Sequence, residues 1–120
     1  MLFRSSNKNK IKDIFIKHIR GIFIPESLNE STWVPFGVPV VCDSKELKRN
    51  LVRHLETNGV QTRNYFAGNL LMHPGYKHLG NHKEYPESNK VLDLVFFIGC
   101  APTISEENIN HIESVLKSFA

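Results

Sequence analysis

The chain has 120 residues, 41% hydrophobic and 22% charged, a composition that excludes extended disorder and suits one compact domain with its own core rather than two. Its formal charge is +3 with Lys and Arg spread among Asp and Glu; the one basic excess, Arg4 to Lys12, comes without a basic face interleaved with aromatics, which argues against a nucleic-acid partner. No apolar run approaches the roughly 20 residues that span a bilayer, and the N-terminal stretch lacks a signal-peptide apolar segment, so a soluble cytoplasmic protein with no membrane association is expected.

In chain order, Ile11, Ile14, Phe15, His18 and Ile19 recur at helical spacing and predict a helix over about residues 7–20 with one buried stripe. Gly21 stands where a left-handed cap is expected, and Ile22 to Ile24 form a brief strand that Pro25 stops. Glu26 to Thr32 is polar and turn-like. Trp33 to Cys42 is β-rich, but Pro35 and Pro39 interrupt it, which predicts an edge strand or a strand with a bulge. Asp43 or Ser44 caps the next helix, which buries Leu47, Leu51, Val52 and Leu55 and ends at Asn58-Gly59. Lys45, Lys48, Arg49 and Arg53 fall on its other face and read as solvated surface, and His54 reads as a rim residue.

Val60 to Leu71 reads as a strand running into a loop, with Gly68 breaking the pattern where polar groups concentrate. The stretch Gln61 to Tyr76 is the densest collection of chemically useful side chains in the chain. His73, His78 and His82 invite a metal, but their spacing matches neither a helical i, i+4 pair with a Glu nor a Cys/His hairpin, so no metal site is predicted. Cys42 and Cys100 are too few and too far apart for a disulfide framework and read as reduced, buried thiols. Pro86 starts one or two helical turns, Leu94 to Cys100 is a central strand buried on both faces, and Ser105 caps a last helix carrying Ile109, Ile112, Val115, Leu116 and Phe119. The resulting α-β-β-α-β-α-β-α order predicts a single α+β domain over residues 1–120, with helices packed on a mostly antiparallel sheet.

Within the polar stretch, the planar guanidinium of Arg63 suits bidentate binding of phosphate, the alternative being a weak surface ion pair. Asn69 could donate to and accept from sugar hydroxyls, with Gly68 allowing close backbone approach, or could simply belong to a turn. His73 suits a hydroxyl, a phosphate or proton transfer. Tyr65 and Tyr76 either pack on a sugar face or fill the edge of the core, and Trp33 reads as a packing residue.

Several segments together carry a family resemblance. They are Trp33 with Phe36-Gly37-Val38-Pro39, Gly59-Val60, Thr62-Arg63, Phe66-Ala67-Gly68-Asn69-Leu70, His73-Pro74 and Tyr76. Pro86, Ser88-Asn89, Phe97-Ile98-Gly99, Pro102 and Ile104-Ser105-Glu106-Glu107 continue the series. In this order they resemble the C-terminal small domain of the DegT/DnrJ/StrS family of sugar-nucleotide aminotransferases, which have the aspartate-aminotransferase fold. The resemblance is closer to the lipopolysaccharide-biosynthesis branch that includes CDP-4-keto-6-deoxyglucose-3-dehydrase.

The resemblance implies a substrate-closing domain of a longer aminotransferase or dehydrase in deoxysugar and O-antigen biosynthesis. Its partners would be a large domain that binds pyridoxal or pyridoxamine phosphate and, in a homodimer, a second copy. The chain alone is expected to bind no cofactor and to supply no catalytic residue. Arg63, Tyr65, Asn69, His73 and Tyr76 would face a nucleotide-sugar substrate, and the first helix (Ile11, Ile14, Phe15, Ile19) with the strand near Trp33 would form an exposed apolar docking face. The competing expectation is an autonomous binding or regulatory module of the same fold class with no activity.

Overall fold

Four apolar side chains on helix α1 (Leu2–His18), Ile11, Ile14, Phe15 and Ile19 just beyond its end, lie against a sheet and are buried in the core. In the computed structural model, which describes residues 2–119, the sheet has four strands: β1 (Ile22–Phe23), β2 (Gly37–Cys42), β3 (Arg63–Asn64) and β4 (Val95–Gly99). Their spatial order is β1-β2-β4-β3 and every pairing is antiparallel. Helices α2 (Lys45–Thr57), α3 (Pro86–Leu94) and α4 (Glu106–Lys117) complete an α+β domain with the predicted order of elements.

The period of two along a strand divides the sheet into two unlike faces. Val38, Val40 and Cys42 of β2 and Phe96 and Ile98 of β4 point to the face covered by α1, α2 and α4, where they meet Phe15, Leu51, Leu55, Ile112 and Leu116. The Phe15 and Phe96 ring centroids are 6.4 Å apart. Ser44 caps α2 by accepting from the Leu47 N–H at 3.0 Å, which settles the choice against Asp43, and Ser105 caps α4 by accepting from the Asn108 N–H at 3.2 Å. Gly21 takes a left-handed backbone with φ of 76°.

Four expectations change. Helix α1 begins at Leu2 rather than near Asn7, because Asn7 is no cap: it is buried and its Nδ2 donates to the Ala101 carbonyl at 2.8 Å, tying the helix to the chain beyond β4. The Pro-containing strand starts only at Gly37 and is interior rather than an edge. Its Pro39 is tolerated because β1 runs opposite Val41 and Cys42 alone, leaving no strand beside Pro39 on that side. The strand predicted over Val60–Leu71 shrinks to Arg63–Asn64, since Thr62 bonds to Glu56 and Phe66 turns the chain back at once. The stripe Ile11, Ile14, Phe15 and Ile19 is no docking face: it faces the core, and Trp33 is half-buried with the Lys8 ammonium 5.2 Å from its ring centroid.

Both cysteines are free and buried. Burial pushes the Cys42 thiol up to about 11 and raises that of Cys100 as well, so both are poor nucleophiles in the folded chain. Among the described residues, no helix is long and apolar enough to cross a membrane.

Candidate functional site

The other face of the sheet carries Gly37, Pro39, Phe97 and Arg63; register brings Pro39, Phe97 and Arg63 into one row across β2, β4 and β3, with Gly37 two residues along β2 on the same face. Gly37 is required there, because a Cβ on it would lie 2.5 Å from Phe97 Cδ2. Phe97 is ringed by Phe36 at 5.3 Å, Tyr65 at 6.1 Å and Phe66 at 6.3 Å between centroids, in tilted or edge-on arrangements. Phe36 and Phe66 remain 54% and 66% exposed, an aromatic surface facing outward beside Arg63.

Arg63 is set by its neighbours on both sides. Before it, Glu56 at the end of α2 accepts from the Thr62 N–H at 2.5 Å and from the Thr62 hydroxyl at 2.8 Å. Those two bonds, with the Arg63 guanidinium adding attraction, hold the Glu56 carboxyl below the usual carboxylate range. After it, the Phe66 N–H donates to the Asn64 carbonyl at 2.8 Å, and Phe66 takes a left-handed backbone with φ of 53°. On the flank, Lys48 is no freely solvated side chain as its place on the basic face of α2 suggested. Its ammonium donates to the Leu92 carbonyl near the end of α3 at 2.7 Å and to Asn64 Oδ1 at 3.2 Å, and burial lowers its basicity.

Beyond Phe66 the chain makes three single 3₁₀ turns, Leu70–Met72, Lys77–Leu79 and His82–Glu84. Asn69 holds them together. It is 3% exposed; its Oδ1 accepts from the Leu71 N–H at 3.0 Å, and its Nδ2 donates to Asn89 Oδ1 at 2.8 Å and to the His82 carbonyl at 3.3 Å. Asn89, on α3, also donates to that carbonyl at 3.1 Å. Gly68 lets the loop sit directly on α3: its φ is 64°, and a Cβ there would lie 2.5 Å from Leu92 Cβ.

His73 is exposed, and its Nε2 lies 2.8 Å from the Ala67 carbonyl. A carbonyl only accepts, so Nε2 carries the proton and Nδ1 of the neutral ring is left as an acceptor. Tyr76 donates its N–H to the His73 carbonyl at 3.0 Å and exposes its ring.

The structure therefore sorts the five sequence-derived residues into three settings. Arg63 and Tyr65 share the aromatic outer face, His73 and Tyr76 share one exposed turn, and Asn69 lies beneath the loop with its amide fully engaged inside the chain. Asn89, which shares the loop's anchoring with Asn69, enters the sequence reading only through the family resemblance, and Lys48, which ties β3 to α3, reads there as solvated surface. The signal for Asn89 was an Asn in the first turns of a Pro-started helix, which does not reveal a partner twenty residues earlier. His78 and His82 join no cluster of metal-ligating side chains among the described residues.

A sequence model described as the DegT/DnrJ/EryC1/StrS aminotransferase family matches residues 4–117. The chain is 25% identical over 103 residues to a dTDP-4-dehydro-2,6-dideoxy-D-glucose 3-dehydratase of Saccharopolyspora spinosa, covering 82% of this chain and 22% of that protein. It is 26% identical over 120 residues to the lipopolysaccharide biosynthesis protein RfbH of Salmonella typhimurium, covering 97% of this chain and 28% of that protein. Among solved structures, a putative sugar aminotransferase from Streptococcus pneumoniae in its PMP form superposes with a TM-score of 0.82 at 16% identity, over 98% of this chain and 30% of that one. The E. coli GDP-4-keto-6-deoxy-D-mannose-3-dehydratase with bound hydrated PLP gives a TM-score of 0.72 at 20% identity, over 95% of this chain and 30% of that one. The chain thus spans about a quarter of the length of these curated relatives.

Proposed function

Because this chain belongs to the DegT/DnrJ/EryC1/StrS aminotransferase family, we propose that it is the C-terminal small domain of a longer pyridoxal- or pyridoxamine-phosphate-dependent enzyme that aminates or dehydrates a nucleotide-linked deoxysugar. The observation that carries this reading is the family match from residue 4 to residue 117, in a chain spanning 22% to 28% of its curated relatives. A relative named as a sugar 3-dehydratase and one named for lipopolysaccharide biosynthesis support the deoxysugar substrate class.

In this reading the outer sheet face and the loop after β3 close over the substrate. Arg63, with no ion pair among the described residues, binds a phosphate of the nucleotide through its planar fork. Tyr65, His73 and Tyr76 offer a ring face, an acceptor nitrogen and a phenol from exposed positions. Asn69 acts as a positioning residue, holding the 3₁₀ turns on α3 so that His73 and Tyr76 stay in place. The exposed Phe36 and Phe66 rings meet the large domain, and the enzyme is a homodimer.

Pyridoxal phosphate, when bound, supplies the electron sink for such reactions. The residues described here do not fit it. Lys48 is already engaged by the Leu92 carbonyl and Asn64, and the loop offers one open guanidinium rather than an enclosed phosphate cradle. Its contacts are assigned to the rest of the enzyme.

The test is turnover by the full-length enzyme on a nucleotide-linked 4-keto-6-deoxysugar with the pyridoxamine form of the cofactor. Absence of both amine transfer and dehydration rejects the reading. Within an active enzyme, Arg63→Ala is expected to weaken nucleotide-sugar binding by about 1.5–3 kcal/mol, the scale of a hydrogen bond to a charged group. Unchanged KM and kcat would remove Arg63 from the site.

A further inference from the structure

On α2, Arg49, Val52 and Arg53 stand at i, i+3 and i+4, on the side turned away from the buried Leu51 and Leu55. Helix α3 lies beside them with Leu92, and the two helices enclose an open groove of about 390 Å³ that Lys45 and Asp93 also line. Val52 and Leu92 are only half-buried, so the groove keeps an apolar floor within reach of solvent.

The cations around this floor differ in what answers them. Lys45 Nζ lies 3.4 Å from Asp93 Oδ1, and Lys48 is taken by the Leu92 carbonyl and Asn64. Arg49 and Arg53 are exposed and form no ion pair among the described residues. Two uncompensated guanidinium groups therefore stand over the apolar floor, about 6 Å apart along the axis at 1.5 Å per residue.

That arrangement fits one kind of partner. Both walls are helices whose backbone groups are bonded within them, so the groove offers no ladder to an extended strand. An incoming helix brings its own backbone satisfied and needs none. Glutamates four residues apart on such a helix repeat at the same spacing as Arg49 and Arg53 and can meet them in bidentate pairs, while apolar side chains beside them cover Val52 and Leu92. At the Lys45 end, Asp93 repels a further carboxylate, which confines the partner's acidic pair to the two arginines.

We propose that the α2–α3 groove docks an amphipathic helix of a second polypeptide, with an acidic i, i+4 pair on Arg49 and Arg53 and an apolar stripe on Val52 and Leu92. The assignment stands on the groove's own chemistry and does not depend on the enzyme class argued above.

The test titrates the isotopically labelled 120-residue chain at low ionic strength with a designed helical peptide of about 14 residues, four turns long. The peptide carries glutamates at one i, i+4 pair and leucines on the adjoining stripe, and amide chemical shifts follow its binding. The expected shifts converge on residues 49–53 and 92–93. Glutamine in place of the two glutamates should weaken binding roughly tenfold, as loss of charge-assisted contacts would. Arg49→Glu/Arg53→Glu should abolish binding of the acidic peptide and create binding of a peptide with lysines at the same two positions. Arg20→Glu/Lys77→Glu, the same reversal elsewhere on the surface, should do neither. The proposal is overturned by absence of binding, by shifts centred on Phe36, Phe66 and Phe97, or by equal binding of a proline-interrupted peptide of like charge. Tighter binding of a short oligothymidylate at the same residues, or failure of the charge swap to transfer specificity, would overturn it as well.

Discussion

The two faces of the sheet are built on different principles. The face under α1, α2 and α4 is a continuous apolar layer in which Phe15, Leu51, Leu55, Phe96 and Leu116 are fully buried; its stability is area removed from water and close packing. The opposite face keeps Phe36, Tyr65 and Phe66 in view of solvent, while the loop beyond is held by side-chain amides, a histidine and a glycine in contact with α3. A region fixed by a few directional bonds can present polar and aromatic groups outward. A region fixed by burial cannot, and so the candidate chemistry collects on the second face.

The largest contrast between the faces is expected from ring truncation. Phe15→Ala should cost about 3–5 kcal/mol of unfolding free energy, the transfer term plus a residual cavity, whereas Phe66→Ala should stay within about 0.5 kcal/mol as an exposed site does. Denaturant unfolding of both variants measures this, and equal losses would erase the distinction between the faces.

On the loop side, Gly68→Ala should cost about 1–3 kcal/mol, because the new Cβ has both a left-handed backbone and the Leu92 side chain against it. Helix α3 should loosen with it, visible as faster amide exchange in residues 86–94. Wild-type stability and exchange would mean that the loop does not rest on α3.

Asn69→Ala should cost about 1–2 kcal/mol by leaving Asn89 Oδ1 and the Leu71 N–H without their partner, and should deprotect the Leu71 amide ahead of global unfolding. If Asn69→Ala left both stability and Leu71 exchange unchanged, its amide would have no part in holding the loop.

The smallest effect concerns acid. Glu56 has its folded carboxyl pKa lowered by the Thr62 bonds, so the unfolded chain binds its proton first. The stability it contributes is present above the unfolded carboxylate value near 4.3 and is lost as pH falls through the lower folded value. Glu56→Gln should flatten the acid limb of a stability–pH profile by lowering the plateau near neutrality toward the acid value, and an unchanged acid limb would exclude this link between α2 and β3.

Where a side chain's fate depends on neighbours close in sequence, it could be read from the chain. The helical stripes of α1, α2 and α4, the Ser105 cap, the apolar run of β4 and the α+β order follow from periodicity and from capping chemistry within one turn. The family resemblance was legible for a related reason, since it rests on an ordered set of short segments. The interior place of β2 was not legible, because whether Pro39 lies opposite a strand depends on how far β1 extends, which is a matter of pairing rather than of composition.

The sequence by itself determined which residues form the core and concentrated the candidate chemistry between Gln61 and Tyr76. Only the tertiary structure decided what those residues do. It buried Asn69 with Asn89 and the His82 carbonyl, turned Lys48 from a surface charge into a tether of β3 and α3, and moved the exposed apolar surface from α1 to the rings around Phe97. Each of these turns on contacts between residues 13 to 61 positions apart, whose geometry is set by packing and register and leaves no local pattern in the chain.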